Sequence, residues 1–158
     1  MSNSTDPLRL SPEDEQTLAS VLDEVIPASA DGKLPGAGEI GLVGAIVDAA
    51  KQNPALGPIV LRGIQALDEL ARDRRGHVFR ALRPEERSAL FRELAAMDEG
   101  FVPRLTFPLY VAYYQHARVL EALGMEARPP HPKGYEIEPF DPILLEPVRR
   151  RPKLYREV

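Results

Sequence analysis

An all-α fold is predicted by three features of the sequence. Apolar residues recur at spacings of three and four through most of the first 124 residues, and helix-start signals precede these runs. No stretch alternates convincingly as a half-buried strand would. The expected architecture is a single helical domain of about five helices over residues 11–124. A flexible N-terminus over 1–10 precedes it, and an extended, proline-rich C-terminal tail over 125–158 follows.

The first helix starts at Ser11-Pro12-Glu13-Asp14. Ser11 can cap, Pro12 suits the first helical position, and the acids sit at the positive end of the helix dipole. Leu18, Val21, Leu22, Val25 and Ile26 form its apolar stripe, and Pro27 stops it. Ala28 to Gly38 reads as a loop of small residues. A mostly apolar second helix is expected over about Glu39–Lys51. Pro54 opens a third, with Val60, Ile64, Leu67 and Ala71 on one face and Gly76 at its end. Leu82-Arg83-Pro84-Glu85-Glu86 repeats the chemistry of Leu10 to Asp14 and starts a fourth, with Leu90, Leu94 and Met97 inside. A fifth is expected over about Val102–Leu123, kinked at Pro108, with Leu109, Tyr113, His116, Leu120 and Leu123 on one face. Gly124 supplies its stop.

A chain of 158 residues is one domain's length and can bury roughly two thirds of its unfolded surface. The net charge of −4 gives no overall positive field for nucleic acid. The absence of cysteine excludes disulfides, thiolate metal sites and cysteine nucleophiles. No apolar run approaches the roughly 20 residues of a membrane span. Met1 to Leu10 carries neither the basic patch nor the apolar stretch of a secretory signal, so a cytoplasmic location is expected, or a periplasmic one if a partner carries the chain out.

Several local patterns could carry chemistry. Gly36-Ala37-Gly38-Glu39-Ile40-Gly41 matches G-x-G-x-x-G, but a helix precedes it where the dinucleotide fingerprint needs a strand, and Glu39 puts negative charge where a pyrophosphate would sit. A turn into a tightly packed helix is the better reading. His77, His116 and His131 form no metal-ligand spacing, and His116 is expected as a hydrogen-bonded core residue. The pairs Asp68-Glu69, Glu85-Glu86 and Asp98-Glu99 read as solvated helix surface. No base, orienter and nucleophile come together, so no catalytic, cofactor-binding or metal residue is assigned.

A partner interface is the richer expectation. Half of the aromatics fall at Phe101, Phe107, Tyr110, Tyr113 and Tyr114, too close on one helix to share a single core. Tyr110 and Tyr114 are taken as partner-facing. Seven of the 16 prolines lie between Pro129 and Pro152, a density that excludes regular helix. Yet this tail keeps Tyr135, Ile137, Phe140, Ile143, Leu144, Leu145 and Leu154, which a disordered linker would lack. It is read as wrapping over another protein or over its own helices. His131, Pro132, Gly134 and Tyr135 begin the contact, Phe140, Leu144 and Leu145 anchor it, and Arg149 and Arg150 meet an acidic surface. The alternative is a stand-alone helical protein that binds an anionic partner through the basic cluster from Arg149 to Arg156.

Three segments resemble the gluconate 2-dehydrogenase subunit 3 family. They are Leu22-Asp23-Glu24-Val25-Ile26-Pro27-Ala28 with Asp31-Gly32 and Pro35-Gly36-Ala37, the helix from Leu82 through Leu94, and Leu123-Gly124 leading to Pro132-Lys133-Gly134-Tyr135. The resemblance implies a non-catalytic small subunit in a hetero-oligomer. Its partner would be a larger glucose–methanol–choline (GMC) type flavoprotein carrying FAD, which the small subunit stabilises, matures or helps export. Many family members carry a twin-arginine export signal, and Met1 to Leu10 has none. The family carries over no catalytic residue and no cofactor of its own.

Overall fold

The computed structural model describes residues 8–98, 100–127 and 139–152, and among these the only regular structure is helical. The chain forms two units, Met1–Arg128 and Pro129–Val158. The first contains α1 (Pro12–Val25), α2 (Val43–Gln52), α3 (Leu56–Arg75), a 3-10 turn (Phe79–Ala81), α4 (Pro84–Met97), α5 (Phe101–Tyr113) and α6 (Ala117–Ala122).

Local chemistry sets the helix starts. Ser11 Oγ accepts from the Asp14 amide at 3.1 Å while the Asp14 carboxylate accepts from the Ser11 amide, a reciprocal cap. At α4 the same layout has Arg83 in the capping position. There Glu86 turns back to accept from the Arg83 amide at 3.4 Å and from its guanidinium at 3.2 Å. That guanidinium holds the Glu86 carboxyl below its ordinary range.

Helix α3 is the hub, in contact with α1, α2, α4 and α5. Its predicted face of Val60, Ile64, Leu67 and Ala71 is buried, and each large aliphatic side chain so enclosed contributes about 1.5–3 kcal/mol. Asp68, on the same helix, accepts from the Phe79 amide at 2.9 Å and so seats the buried Phe79 ring. Gly63 leaves space for the ring of Phe101, and any Cβ there would overlap that ring. Between α1 and α4, the Glu24 carboxylate accepts from Ser88 Oγ at 2.6 Å and pairs with Arg87 at 3.6 Å.

The glycine-rich loop has a structural explanation. Asp23 Oδ1 accepts from the amides of Gly38 (2.8 Å) and Glu39 (3.3 Å), so the chain's own carboxylate fills the place an anion would take. A Cβ on Gly38 would strike the Ala19 carbonyl oxygen and the Asp23 carboxyl group. Tight apposition of loop to helix is what these glycines permit.

Four expectations are corrected. The second helix starts at Val43 rather than Glu39, because residues 38–41 turn through Gly41 at φ 72° before the helix can begin. Met97 is 63% exposed, since it ends α4 and the chain then turns at Asp98, whose carboxylate accepts from the Gly100 amide; Phe91 is buried on α4 instead. The expected fifth helix is two helices. It runs through Pro108 but stops at Tyr113, and α6 restarts at Ala117 after His116 takes an extended conformation. The break rotates the second half, so Val119 is buried and Leu123 exposed. His116 caps α6 half-buried, with a buried Nδ1 that has no hydrogen-bond partner among the described residues, so it is not the hydrogen-bonded core histidine expected.

The second unit also departs from expectation. Pro142–Leu145 is a 3-10 turn leading into a one-turn helix, α7 (Glu146–Arg149). Pro142 and Pro147 sit in first turns, where the missing N–H has no bond to lose, and Asp141 caps by accepting from the Ile143 amide at 2.9 Å. Proline density therefore places short helical turns here rather than excluding them.

Candidate partner-binding surface

Helix α5 is apolar nearly all round. Phe101, Leu105, Leu109 and Tyr113 face the core. The last is fixed by its hydroxyl, which donates to the Pro35 carbonyl at 2.8 Å. Burial, with smaller contributions from Tyr114 and Glu39, holds the Tyr113 phenol above its ordinary value. The opposite side carries Phe107, Tyr110, Val111 and Tyr114, spaced three and four apart and so forming one stripe. Phe107 is 75% exposed, Tyr110 44% and Tyr114 52%. The rings of Tyr110 and Tyr114 lie 6.1 Å apart, and Tyr114 meets Tyr113 edge-on at 5.3 Å. Helix α5 is therefore apolar on both sides, and only one side is buried among the described residues.

Alongside this stripe runs an open groove of about 830 Å³. One wall is the α2 face of Leu42, Ala45, Ala49 and Gln52. The other is the α5 face of Arg104, Phe107, Pro108 and Val111, and α3 contributes Leu56 and Ile59. Asp48 lies in the lining but is paired with Lys51 at 2.8 Å. The Arg104 side chain makes neither a hydrogen bond nor an ion pair among the described residues. Gln115 and His116 line the groove just beyond the other end of α5.

Of the interface residues read from the sequence, Tyr110 and Tyr114 lie together on the exposed stripe. Phe140, Leu144 and Leu145 are exposed in the second unit. Arg149 and Arg150 both pair with the one carboxylate of Glu146, at 3.4 and 3.9 Å, which offsets part of their charge. His131, Pro132, Gly134 and Tyr135 lie outside the described residues. Sequence reasoning misses the groove: it gives no interface role to Phe107, Arg104, Val111 or the α2 wall. The all-round apolarity of α5 was the available signal.

Among the described residues no group of three or more His, Asp or Glu side chains could hold a metal ion, and no helix is long and apolar enough to cross a membrane. In the glycine-rich loop the Gly38 and Glu39 amides are engaged by Asp23 and those of Ala37, Ile40 and Gly41 by backbone carbonyls, so that loop does not fit a dinucleotide phosphate. A family model described as gluconate 2-dehydrogenase subunit 3 matches residues 12–129. No curated protein and no solved structure matches the chain.

Proposed function

The chain belongs to the gluconate 2-dehydrogenase subunit 3 family, and on that premise we propose that it is a non-catalytic small subunit of a sugar or alcohol dehydrogenase complex. Its partner is a larger FAD-dependent catalytic subunit of the GMC type, which it binds and stabilises or matures. The observation that carries this reading is the exposed apolar stripe of α5, Phe107, Tyr110, Val111 and Tyr114, running beside the α2–α5 groove. The flavin belongs to the partner, and this chain contributes surface rather than reacting groups. The complex resides in the cytoplasm, or in the periplasm where the partner carries both subunits out.

The test is gentle purification of the tagged chain from its native host, followed by a visible spectrum and identification of the bound proteins. The expected result is a yellow complex whose second subunit carries FAD and reduces a dye in the presence of a sugar or alcohol. A colourless chain without a partner would overturn the proposal.

A further inference from the structure

Resting on that reading, we infer that the α2–α5 groove is where the catalytic subunit docks, by inserting an amphipathic helix with a carboxylate placed against Arg104. The groove walls are two helix faces, with small side chains on one (Ala45, Ala49) and large ones on the other (Phe107, Val111). Small residues admit a close backbone approach, and the large ones supply anchors between which a third helix can pack. This is the helix-in-groove mode, read through apolar positions three and four residues apart. The groove is open and Phe107 stands out from it, which suits a protein segment better than an enclosed small molecule.

Charge selects among possible occupants. Arg104 stands at the start of α5 without an ion pair among the described residues, while Asp48 is already satisfied by Lys51. The unmet charge on the groove is therefore positive, and a carboxylate on the incoming helix completes it. A second copy of this chain docked face to face would bring the same cation toward itself and offer only an occupied aspartate. Charge thus favours an acidic helix of a different protein. Phe107 is the expected hot spot, large, rigid, 75% exposed and part of the groove wall.

The test uses the full chain and the flavoprotein that the wild-type chain brings down from its host. Phe107→Ala should weaken binding roughly thirtyfold, as truncating a hot-spot aromatic does. Arg104→Glu should weaken it at least about tenfold and more at low salt, because it sets like charge against like. Glu69→Ala, on the exposed side of α3, should leave it unchanged. In the wild-type complex, amide hydrogen exchange over residues 103–112 should slow relative to the free chain. All three sites lie on the surface, so equal melting temperatures would show the variants folded. Binding within twofold of wild type for both groove variants, or exchange protection confined to other segments, overturns the groove assignment while leaving the accessory reading intact. So does a free chain that is a dimer until Phe107→Asp makes it monomeric. A wild-type chain that captures no flavoprotein overturns both.

Discussion

Replacing Gly63 by alanine tests how α5 is seated on α3. In an unhindered helix interior this change gains about 1 kcal/mol, because glycine gives up more backbone freedom than alanine. Here the added Cβ would overlap Cγ, Cδ2 and Cε2 of the Phe101 ring. That ring is fully buried and cannot swing into solvent. Forcing a carbon into a packed core costs about 1–3 kcal/mol, and overlap with three ring atoms points to the upper end. The net expectation is a loss of about 1–2 kcal/mol, once the helix-propensity gain is subtracted from that cost. For a domain of this size that lowers Tm by about 3–8 °C. Thermal unfolding followed by far-UV circular dichroism measures it. The same substitution in a Phe101→Leu background should be neutral or stabilising, since the obstructing ring is gone and the helix gain remains. If Gly63→Ala raised Tm with Phe101 in place, the close approach of the two helices would be refuted.

Three further outcomes follow from the packing. Tyr113→Phe removes the bond to the buried Pro35 carbonyl and should cost about 1–2 kcal/mol at neutral pH by denaturant titration. The phenol's folded pKa is raised, so its contribution is complete below its ordinary value of 10.0 and is lost as pH climbs from there toward the folded value. The wild type should therefore lose up to about 1.4 kcal/mol per pH unit above that point, and the phenylalanine variant should lack this component of the slope. Glu24→Ala leaves Arg87 without its ion-pair partner and should destabilise by about 2–3 kcal/mol, less than for a fully buried pair, whereas Glu24→Gln should retain part through Ser88. Met97→Ser should change stability by less than about 0.5 kcal/mol, while Leu94→Ala should cost about 2–5 kcal/mol; equal losses would contradict the exposure of Met97.

What was legible in the sequence was whatever depends on neighbours along the chain. The face of α3 is twenty residues of unbroken periodicity, and Val60, Ile64, Leu67 and Ala71 are buried as that pattern requires. The start signals at Ser11 and Leu82 are local hydrogen-bond chemistry and appear as read, with Arg83 the surprise as capping residue. The break between α5 and α6 was not legible. No glycine or proline marks residues 114–116, and a contact from Tyr113 to a carbonyl 78 residues earlier accompanies the helix end. Met97 illustrates a different limit: a periodic pattern shows which face a residue shares but not where the helix leaves its neighbours. The groove depends on α2 (Val43–Gln52) meeting α5 (Phe101–Tyr113) far along the chain, so its α5 wall could be suspected from composition and its α2 wall could not. In the tail, proline density reads as a helix breaker, whereas in a first turn the missing N–H has no bond to lose.

Asp23 gives the glycine-rich loop a further property. The chain supplies its own anion, delivered by α1 and held at the Gly38 and Glu39 amides. Such a tethered group acts at an effective concentration set by geometry rather than by the medium, and a dissolved phosphate or sulfate competes poorly against it. The segment leading into α2 therefore keeps one shape whatever the ionic composition around it. The α2 wall of the groove keeps its register across the same range of salt and anion concentrations.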